Sequence, residues 1–237
     1  MSGPMRRVIP VGYHICKLSL VGESPLLMSS GEADRDSDTF KAFRSLSKVR
    51  SKSDEQESRL RELEWYTRLY YDEKIGVYIP GKNIKELLRS AATKWRKGED
   101  IKRSLVVPEY RIPLIYDGPK KPADLWAAGF RYTAMVANSG AGSGRVPRTR
   151  PCFDEWALEC EIAYDPEDLD FSLIEDVVGR SPKYGLGDYR PEFGAFSASI
   201  VFEREQRLPA RANGAKPRDK KAEKAVKTMA RRIKASA

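Results

Sequence analysis

Few side chains in this sequence are suited to acid–base or metal chemistry. His14 is the only histidine, and it lies in an alternating run, Tyr13 to Val21, that predicts a first β-strand. A lone histidine in a strand more often has a structural role than a catalytic one. Asp34, Asp36 and Asp38 alternate like the start of a calcium loop, but the following glycine and the distal glutamate are missing. The cysteines show no Cys-x-x-Cys spacing. We therefore expect no catalytic residue, no metal and no cofactor, and the unpaired cysteine pattern favours a cytoplasmic location.

The side chains with the clearest chemical potential are cations that lie near glycines and tyrosines. Backbone-tracking cations and flat rings are what a protein needs to hold a single-stranded nucleic acid. The candidate binding residues are Lys82, Lys85 and Arg89 on a helix, Arg145, Arg148 and Arg150 in a glycine-rich and arginine-rich loop, Lys183, Tyr189 and Arg190 in a second glycine-rich loop, and Arg44 and Lys48 as second-line candidates. For the helix the alternative is a solvated amphipathic surface, and for the arginine loop it is an ordinary surface loop.

The helix that carries the first group is the segment around which the chain is organised. Pro80 and Gly81 interrupt the preceding segment, because proline fixes φ and glycine opens the left-handed region. Apolar residues then recur at helical spacing, at Ile84, Leu87, Leu88, Ala91 and Ala92. Asn83 is predicted to cap the start of this helix. One side should therefore face the core, and the other should be cationic.

The net charge of +9 is predicted to reside in the C-terminal part of the chain. Residues 207–237 contain eleven basic and two acidic residues, whereas residues 1–206 contain 32 of each sign. This tail is expected to be disordered and to attract phosphates without specificity. The basic composition is thus no sign that the folded body binds nucleic acid. No apolar run is long enough for a membrane span, so no membrane partner is expected.

The order of predicted elements indicates an α+β fold. A strand, a helical insertion at 39–76, the Pro-Gly helix and short strands come first. A basic hairpin whose thumb loop covers 138–151, a strand, a second helix, the glycine-rich loop and a last strand follow. This is a ferredoxin-like (RRM-like) βαββαβ core with additions. We expect one domain at 1–206, followed by the tail.

Three stretches resemble the RAMP superfamily, the repeat-associated proteins of CRISPR systems, and above all the backbone subunit that polymerises along a guide RNA. Leu20 to Leu27 is similar to the end of the family's first strand, and Tyr78 to Arg89 is similar to its Ile-Pro-Gly helix start. Gly185 to Phe196 is similar to its glycine-rich loop and following strand. Asn83 stands where the family often has serine, and Glu86 stands where it has glycine. These departures also suit a solitary phage or mobile-element relative.

The resemblance implies a non-catalytic protein of antiviral defence that binds single-stranded nucleic acid, with RNA favoured over DNA. It also implies a helical homo-oligomer, a filament built head to tail along the strand, and CRISPR effector subunits as further partners. An anti-CRISPR decoy and a phage single-stranded DNA-binding protein remain alternatives. A further alternative is a CRISPR RNA-processing endoribonuclease, for which His14 would act as acid or base, or a cleaving role for Asp34 or Asp36.

Overall fold

The computed structural model describes residues 6–32, 34–137 and 144–207. These residues form an α+β structure with several antiparallel sheets, so the predicted class is confirmed. The strands are β1 His14–Gly22, β2 Leu26–Leu27, β3 Tyr71–Asp72, β4 Gly76–Pro80, β5 Leu105–Val106, β6 Arg111–Pro113, β7 Arg131–Ala137, β8 Arg145–Phe153, β9 Ala157–Tyr164 and β10 Phe196–Glu205. The helices are α1 Asp38–Ser47, α2 Asp54–Arg68, α3 Gly81–Ala91, α4 Gly98–Ser104, α5 Pro122–Ala127 and α6 Phe171–Arg180.

Contacts along the chain divide it into two units, Met1–Gln206 and Arg207–Ala237. The second unit lies outside the described residues from 208 onward, so its disorder stays a prediction. None of the described helices is both long and apolar enough to cross a membrane.

The largest sheet has the strand order β10-β1-β9-β5, and all its neighbouring strands are antiparallel. The strands alternate as a half-buried sheet should, with Leu18 and Leu20 of β1 facing the core. Helices α3 and α6 bury their apolar sides in the same cluster. The predicted core face of the first helix and its extension is confirmed at Ile84, Leu87, Leu88, Ala91 and Ala92, and the second helix buries Ile174, Val177 and Val178.

Helix α3 begins two residues earlier than the predicted cap. Pro80 occupies the N-cap with extended backbone, and Asn83 is already the third helical residue, so the capping prediction was wrong. The amide of Gly81 donates to the carbonyl of Tyr110 at 3.0 Å. A Cβ on Gly81 would lie 2.0 Å from the carbonyl oxygen of Glu109. The start of the helix is therefore fixed by main-chain contact, which only glycine permits here.

The helical insertion is shorter than the predicted range of 39–76. It consists of α1 and α2, and the chain returns to extended structure in β3 and β4. Helix α2 begins with a capping box, because the Ser53 hydroxyl accepts from the Gln56 amide and the Gln56 side chain accepts from the Ser53 amide. Trp65 is fully buried and donates from Nε1 to the carbonyl of Phe130 at 2.7 Å, which fixes the insertion against the start of β7.

The basic hairpin is built from β7 and β8, which pair from Arg131 opposite Pro151 to Ala137 opposite Arg145. The three arginines predicted for the thumb loop therefore lie in strand β8 rather than in the loop itself. Residues 138–143 of that loop lie outside the described residues. Helix α2 packs against β8, and Thr149 and Arg150 of this strand are buried.

Candidate nucleic-acid interface

Helix α3 and the glycine loop, which we define as residues 185–194, face each other across a groove of about 190 Å³. The residues that line the groove are Leu27, Met28, Ser29, Tyr70, Ile79, Asn83, Glu86, Leu87, Leu186, Gly187 and Arg190. Asn83, which does not cap the helix, instead lines this groove. The structure thus brings together two of the three segments that the sequence marked for binding.

The glycine loop approaches β2 through positions that only glycine fits. Gly187 has φ +89°, and a Cβ there would lie 2.3 Å from the carbonyl oxygen of Leu27. That same carbonyl accepts from the amide of Asp188 at 2.8 Å. Gly194 has φ +68°, and a Cβ there would lie 1.7 Å from the carbonyl oxygen of Leu186. The loop is therefore held in one shape by backbone contacts that do not depend on the side chains of half-exposed Tyr189 and exposed Arg190.

Three cations of α3 lie beside the groove. Lys82, Lys85 and Arg89 line a second depression of about 410 Å³, together with Arg7, Glu86 and Lys102. Because Glu86 also lines the groove, the two depressions adjoin.

These cations differ in how far their charge is already compensated. Lys82 pairs with Glu32 at 2.7 Å, and the Nε of Arg89 donates to Glu86 at 2.8 Å. Lys85 is half-buried and forms no ion pair with any described carboxylate. Burial lowers the pKa of Lys85, and the nearby charge of Arg7 lowers it further. An anion above Lys85 would relieve both effects.

The cations of the glycine loop lie around a shallow depression of about 610 Å³. Lys183 and Arg190 are exposed on it and form no ion pair within the described part of the chain. Tyr189 is half-exposed beside them and adopts φ +53°. Gly187 and Arg190 line both this depression and the groove, so the surface is continuous. Flat rings and uncompensated cations on one surface suit a single strand.

Arg150 differs from the prediction, because it is buried and committed to two carboxylates. Only 8% of the residue is exposed. Its Nη1 donates to Glu64 Oε1 at 3.0 Å, and its Nε donates to Asp188 Oδ2 at 2.9 Å. Burial lowers the pKa of this guanidinium, but the bonds to Asp188 and Glu64 outweigh it and raise the pKa overall. Arg150 therefore joins helix α2, the hairpin and the glycine loop, and it is not available to a phosphate.

The other two arginines of the hairpin remain accessible. Arg145 is exposed, and the side chain of Arg148 is 42% exposed at 3.5 Å from Glu64 Oε1. The hairpin also contacts the glycine loop through the rings of Tyr132 and Phe193, whose centroids are 4.9 Å apart. The hairpin and the glycine loop therefore meet directly, as a shared binding surface requires.

The second-line candidates lie elsewhere. Arg44 is exposed on α1, which packs against α2, and Lys48 is exposed at the C-cap of α1; neither residue lines the groove or the two adjoining depressions.

The side chains considered for catalysis make structural contacts. The ring of His14 packs edge-on against Tyr164 and Phe202, and its Nδ1 is 3.4 Å from the hydroxyl of Tyr164. Asp34 accepts from the amide of Asp36 at 2.9 Å in the turn before α1. In the described residues, no group of three or more His, Cys, Asp or Glu side chains could hold a metal ion.

The sequence reasoning missed the carboxylates that organise the hairpin. Glu64 is 3% exposed; it accepts from Arg150 and from the amide of Thr149. One signal was present, because Glu64 follows Leu63 and lies four residues after Leu60, on the apolar side of the helix. A carboxylate in an apolar stripe indicates a buried ion pair.

Comparison with known proteins gives structural neighbours only. No protein-family model and no curated protein matches the sequence. Among solved structures, a chain of the type III-B Cmr-beta bound to cognate target RNA matches with a TM-score of 0.48 and 13% identity, over 81% of this chain and 61% of that chain. Cmr6 from Pyrococcus furiosus matches with a TM-score of 0.38 and 11% identity, over 80% of this chain and 99% of that chain. Both neighbours are Cmr proteins, and the first belongs to a type III-B system. With both TM-scores below 0.5, neither superposition locates a ligand on this chain.

Proposed function

We propose that this protein binds single-stranded nucleic acid, RNA in preference to DNA, along the surface formed by α3, the glycine loop and the hairpin. In this proposal the protein catalyses no reaction, and copies assemble head to tail along the strand as CRISPR backbone subunits do. CRISPR effector subunits are its further partners. The anti-CRISPR decoy and the phage single-stranded DNA-binding protein are the competing outcomes of the experiments below.

The observation that carries the proposal is the convergence of the three predicted segments. Lys85, Lys183 and Arg190 lie without ion-pair partners among the described residues, on two depressions that each adjoin the groove. On the hairpin, which contacts the glycine loop through Tyr132 and Phe193, Arg145 is exposed and the side chain of Arg148 is 42% exposed. Phosphates of one strand could contact each of these cations, whereas Arg150 positions the hairpin.

The topology supports a ferredoxin-like core as the scaffold. We assign β1, α3, β5, β9, α6 and β10 to its six elements in chain order. The sheet order β10-β1-β9-β5, with antiparallel neighbours throughout, agrees with this assignment. RRM domains bind RNA through aromatic residues on the sheet. Here the solvent side of β1 carries Lys17 and Ser19, opposite Glu161 and Glu159 of β9. Charged pairs are a poor stacking platform, which favours the helix-and-loop surface instead.

Assembly into a filament needs a surface for a second copy, and β10 offers one. It is an edge strand of the described sheet, and Val201 and Phe202 on it are exposed. An edge strand with exposed apolar side chains is a favoured site for pairing with another chain. Electron micrographs of the protein with a long single strand should show regular filaments; isolated particles would contradict head-to-tail assembly.

The binding experiment compares matched double variants of the full chain. Fluorescence anisotropy with a labelled single-stranded RNA should show salt-dependent binding. Lys85→Ala with Arg190→Ala should weaken it about 100-fold, because each lost phosphate contact costs about tenfold. The slope of log K against log salt should fall by about 1.4. Arg44→Ala with Lys48→Ala removes the same charge away from the groove and should have a much smaller effect.

Equal losses in the two double variants would contradict the groove and indicate attraction by charge alone. Digestion of the nucleic acid that copurifies with the protein, by RNase or by DNase, decides between RNA and DNA. Capture of effector subunits without bound nucleic acid would favour the decoy. His14→Ala should leave labelled RNA as intact as the wild type does; cleavage by the wild type alone would contradict the non-catalytic assignment.

A further inference from the structure

Arg68, the last residue of α2, has a guanidinium group with no hydrogen-bond or ion-pair partner among the described residues. The residue is half-buried, and its Nε is buried without a hydrogen-bond partner in the described structure. None of the ion pairs in that part of the chain includes it. Buried donors are nearly always satisfied, because leaving one unpaired is costly. An unpaired guanidinium of this kind therefore indicates an acceptor that the chain itself does not supply.

The two carboxylates nearest to Arg68 are already committed to other donors. Glu64 lies one turn earlier on the same side of α2. Its Oε1 accepts from Arg150 and lies 3.5 Å from Arg148, and its Oε2 accepts from the amide of Thr149 at 3.0 Å. Both oxygens of Glu64 therefore already accept from other donors, and neither forms a hydrogen bond or ion pair with Arg68 in the described structure.

Asp188 is committed in the same way. Its Oδ2 accepts from Arg150 at 2.9 Å, and its Oδ1 accepts from the amide of Tyr189 at 3.1 Å. The junction of α2, the hairpin and the glycine loop therefore holds three guanidinium groups, those of Arg68, Arg148 and Arg150, against two carboxylates. One positive charge remains uncompensated in a partly buried place.

The electrostatics of Arg68 agree with this count. Burial lowers the pKa of Arg68, and the charges of Arg150 and Arg148 lower it further, against the opposing effect of Glu64 and Asp188. A competing explanation is that Arg68 serves the negative end of the α2 dipole, as basic residues in a last helical turn do. That explanation requires no ligand, so the two can be separated by adding an anion.

We propose that Arg68 and Arg148 form an anion seat that takes one phosphate group at the junction of α2, the hairpin and the glycine loop. Guanidinium groups suit this role, because their planar forks match phosphate oxygens in pairs. A backbone phosphate of a single strand and a free inorganic phosphate offer the same chemistry. The assignment to a strand rests on the proposed function and extends it, since it makes the helical insertion part of the binding surface.

The first arm tests the seat without nucleic acid. Millimolar inorganic phosphate, against chloride at equal ionic strength, should raise the melting temperature of the full-length wild type by a few degrees. Arg68→Gln should abolish this rise. Arg59→Gln is the matched control, because it removes the same charge from the same helix at a side chain that is 57% exposed. No rise in the wild type, or an equal rise in Arg68→Gln, would overturn the seat.

The second arm uses labelled single-stranded RNA. Arg68→Gln should weaken binding about tenfold relative to Arg59→Gln, and it should reduce the salt slope by about 0.7, the value for one phosphate contact. If phosphate stabilises the wild type and the wild type binds no single strand, the seat stands and the proposed function fails. If Arg68→Gln abolishes the stabilisation by phosphate but binds RNA as tightly as Arg59→Gln does, the seat binds free phosphate and its assignment to a strand is overturned.

If Arg68→Gln does not fold, the same measurements are made on Arg148, the more exposed residue of the seat. Arg148→Gln should then lose both the phosphate stabilisation and about one phosphate contact to RNA. Wild-type values for both quantities in a folded Arg148→Gln would overturn the seat.

Discussion

Replacing Glu64 with alanine should destabilise the protein far more than any surface change on the same helix. The side chain is 4% exposed and its partner Arg150 is 10% exposed, so water screens the pair little. Removing the carboxylate leaves the Arg150 charge with Asp188 alone and leaves the amide of Thr149 without its acceptor. Breaking a buried pair by removing one partner costs about 3–5 kcal/mol. We therefore expect a loss of about 4 kcal/mol.

Urea denaturation measures this loss. With an m value of about 2 kcal/mol per molar, the unfolding midpoint should fall by about 2 M. Glu62→Ala is the control, because it removes the same side chain from the same helix. Glu62 pairs with Arg59, whose side chain is 57% exposed, and an exposed pair of this kind contributes at most about 1 kcal/mol.

A double-mutant cycle tests the stated cause. Combining Glu64→Ala with Arg150→Ala removes both buried charges, so the double variant should lose less stability than the sum of the single losses, by about 1–3 kcal/mol. Two results would refute the reasoning. One is a midpoint shift for Glu64→Ala no larger than that for Glu62→Ala, and the other is strict additivity in the cycle.

Three further changes test other parts of the fold. Gly187→Ala should lose about 3 kcal/mol in urea denaturation, because its Cβ would meet the carbonyl of Leu27, whereas Gly129→Ala, with a similar φ and open space, should lose about 1 kcal/mol. Burial raises the pKa of Cys152 to about 12, as the charge of Asp154 does to a smaller extent. In the native protein the Cys152 thiol should therefore resist a thiolate-selective reagent at pH 8, and in denaturant it should react. Rapid labelling of Cys152 in the native protein would contradict this. Burial raises the pKa of Glu109, so wild type should lose stability relative to Glu109→Gln as pH rises from the ordinary carboxyl range through the raised pKa. A stability difference between these two proteins that does not change with pH would contradict a raised pKa for Glu109.

The parts of the fold that depend on local pattern were predictable from the sequence. The apolar side of α3 followed from helical spacing, and Ser53 and Gln56, which form the capping box of α2, stand three residues apart in the sequence as such a box requires. The error at Asn83 has a physical reason. A polar residue near a helix start suggests a cap, but here a main-chain contact from Glu109 and Tyr110 fixes the start earlier.

The candidate site was predictable in its residue types and less so in their roles. Arg145, Arg148 and Arg150 looked equivalent, because all three were predicted to lie in one loop and no local pattern marked any of them as facing a buried acid. The partners of Arg150 lie 86 and 38 positions away in the sequence, at Glu64 and Asp188. No local pattern reports such distances, and only the folded chain separates the arginine that positions the hairpin from those that face solvent.

The start of α3 has a consequence for how this protein can change over evolutionary time. Main chain meets main chain at Gly81, and that contact is indifferent to the identity of neighbouring side chains. Mutations can therefore add, remove or invert charges at Lys82, Lys85 and Arg89 while the helix that displays them keeps its position. Selection on the surface charge of α3 acts on side chains, whereas selection on the position of α3 acts on the main chain, so the surface charge can change without moving the helix.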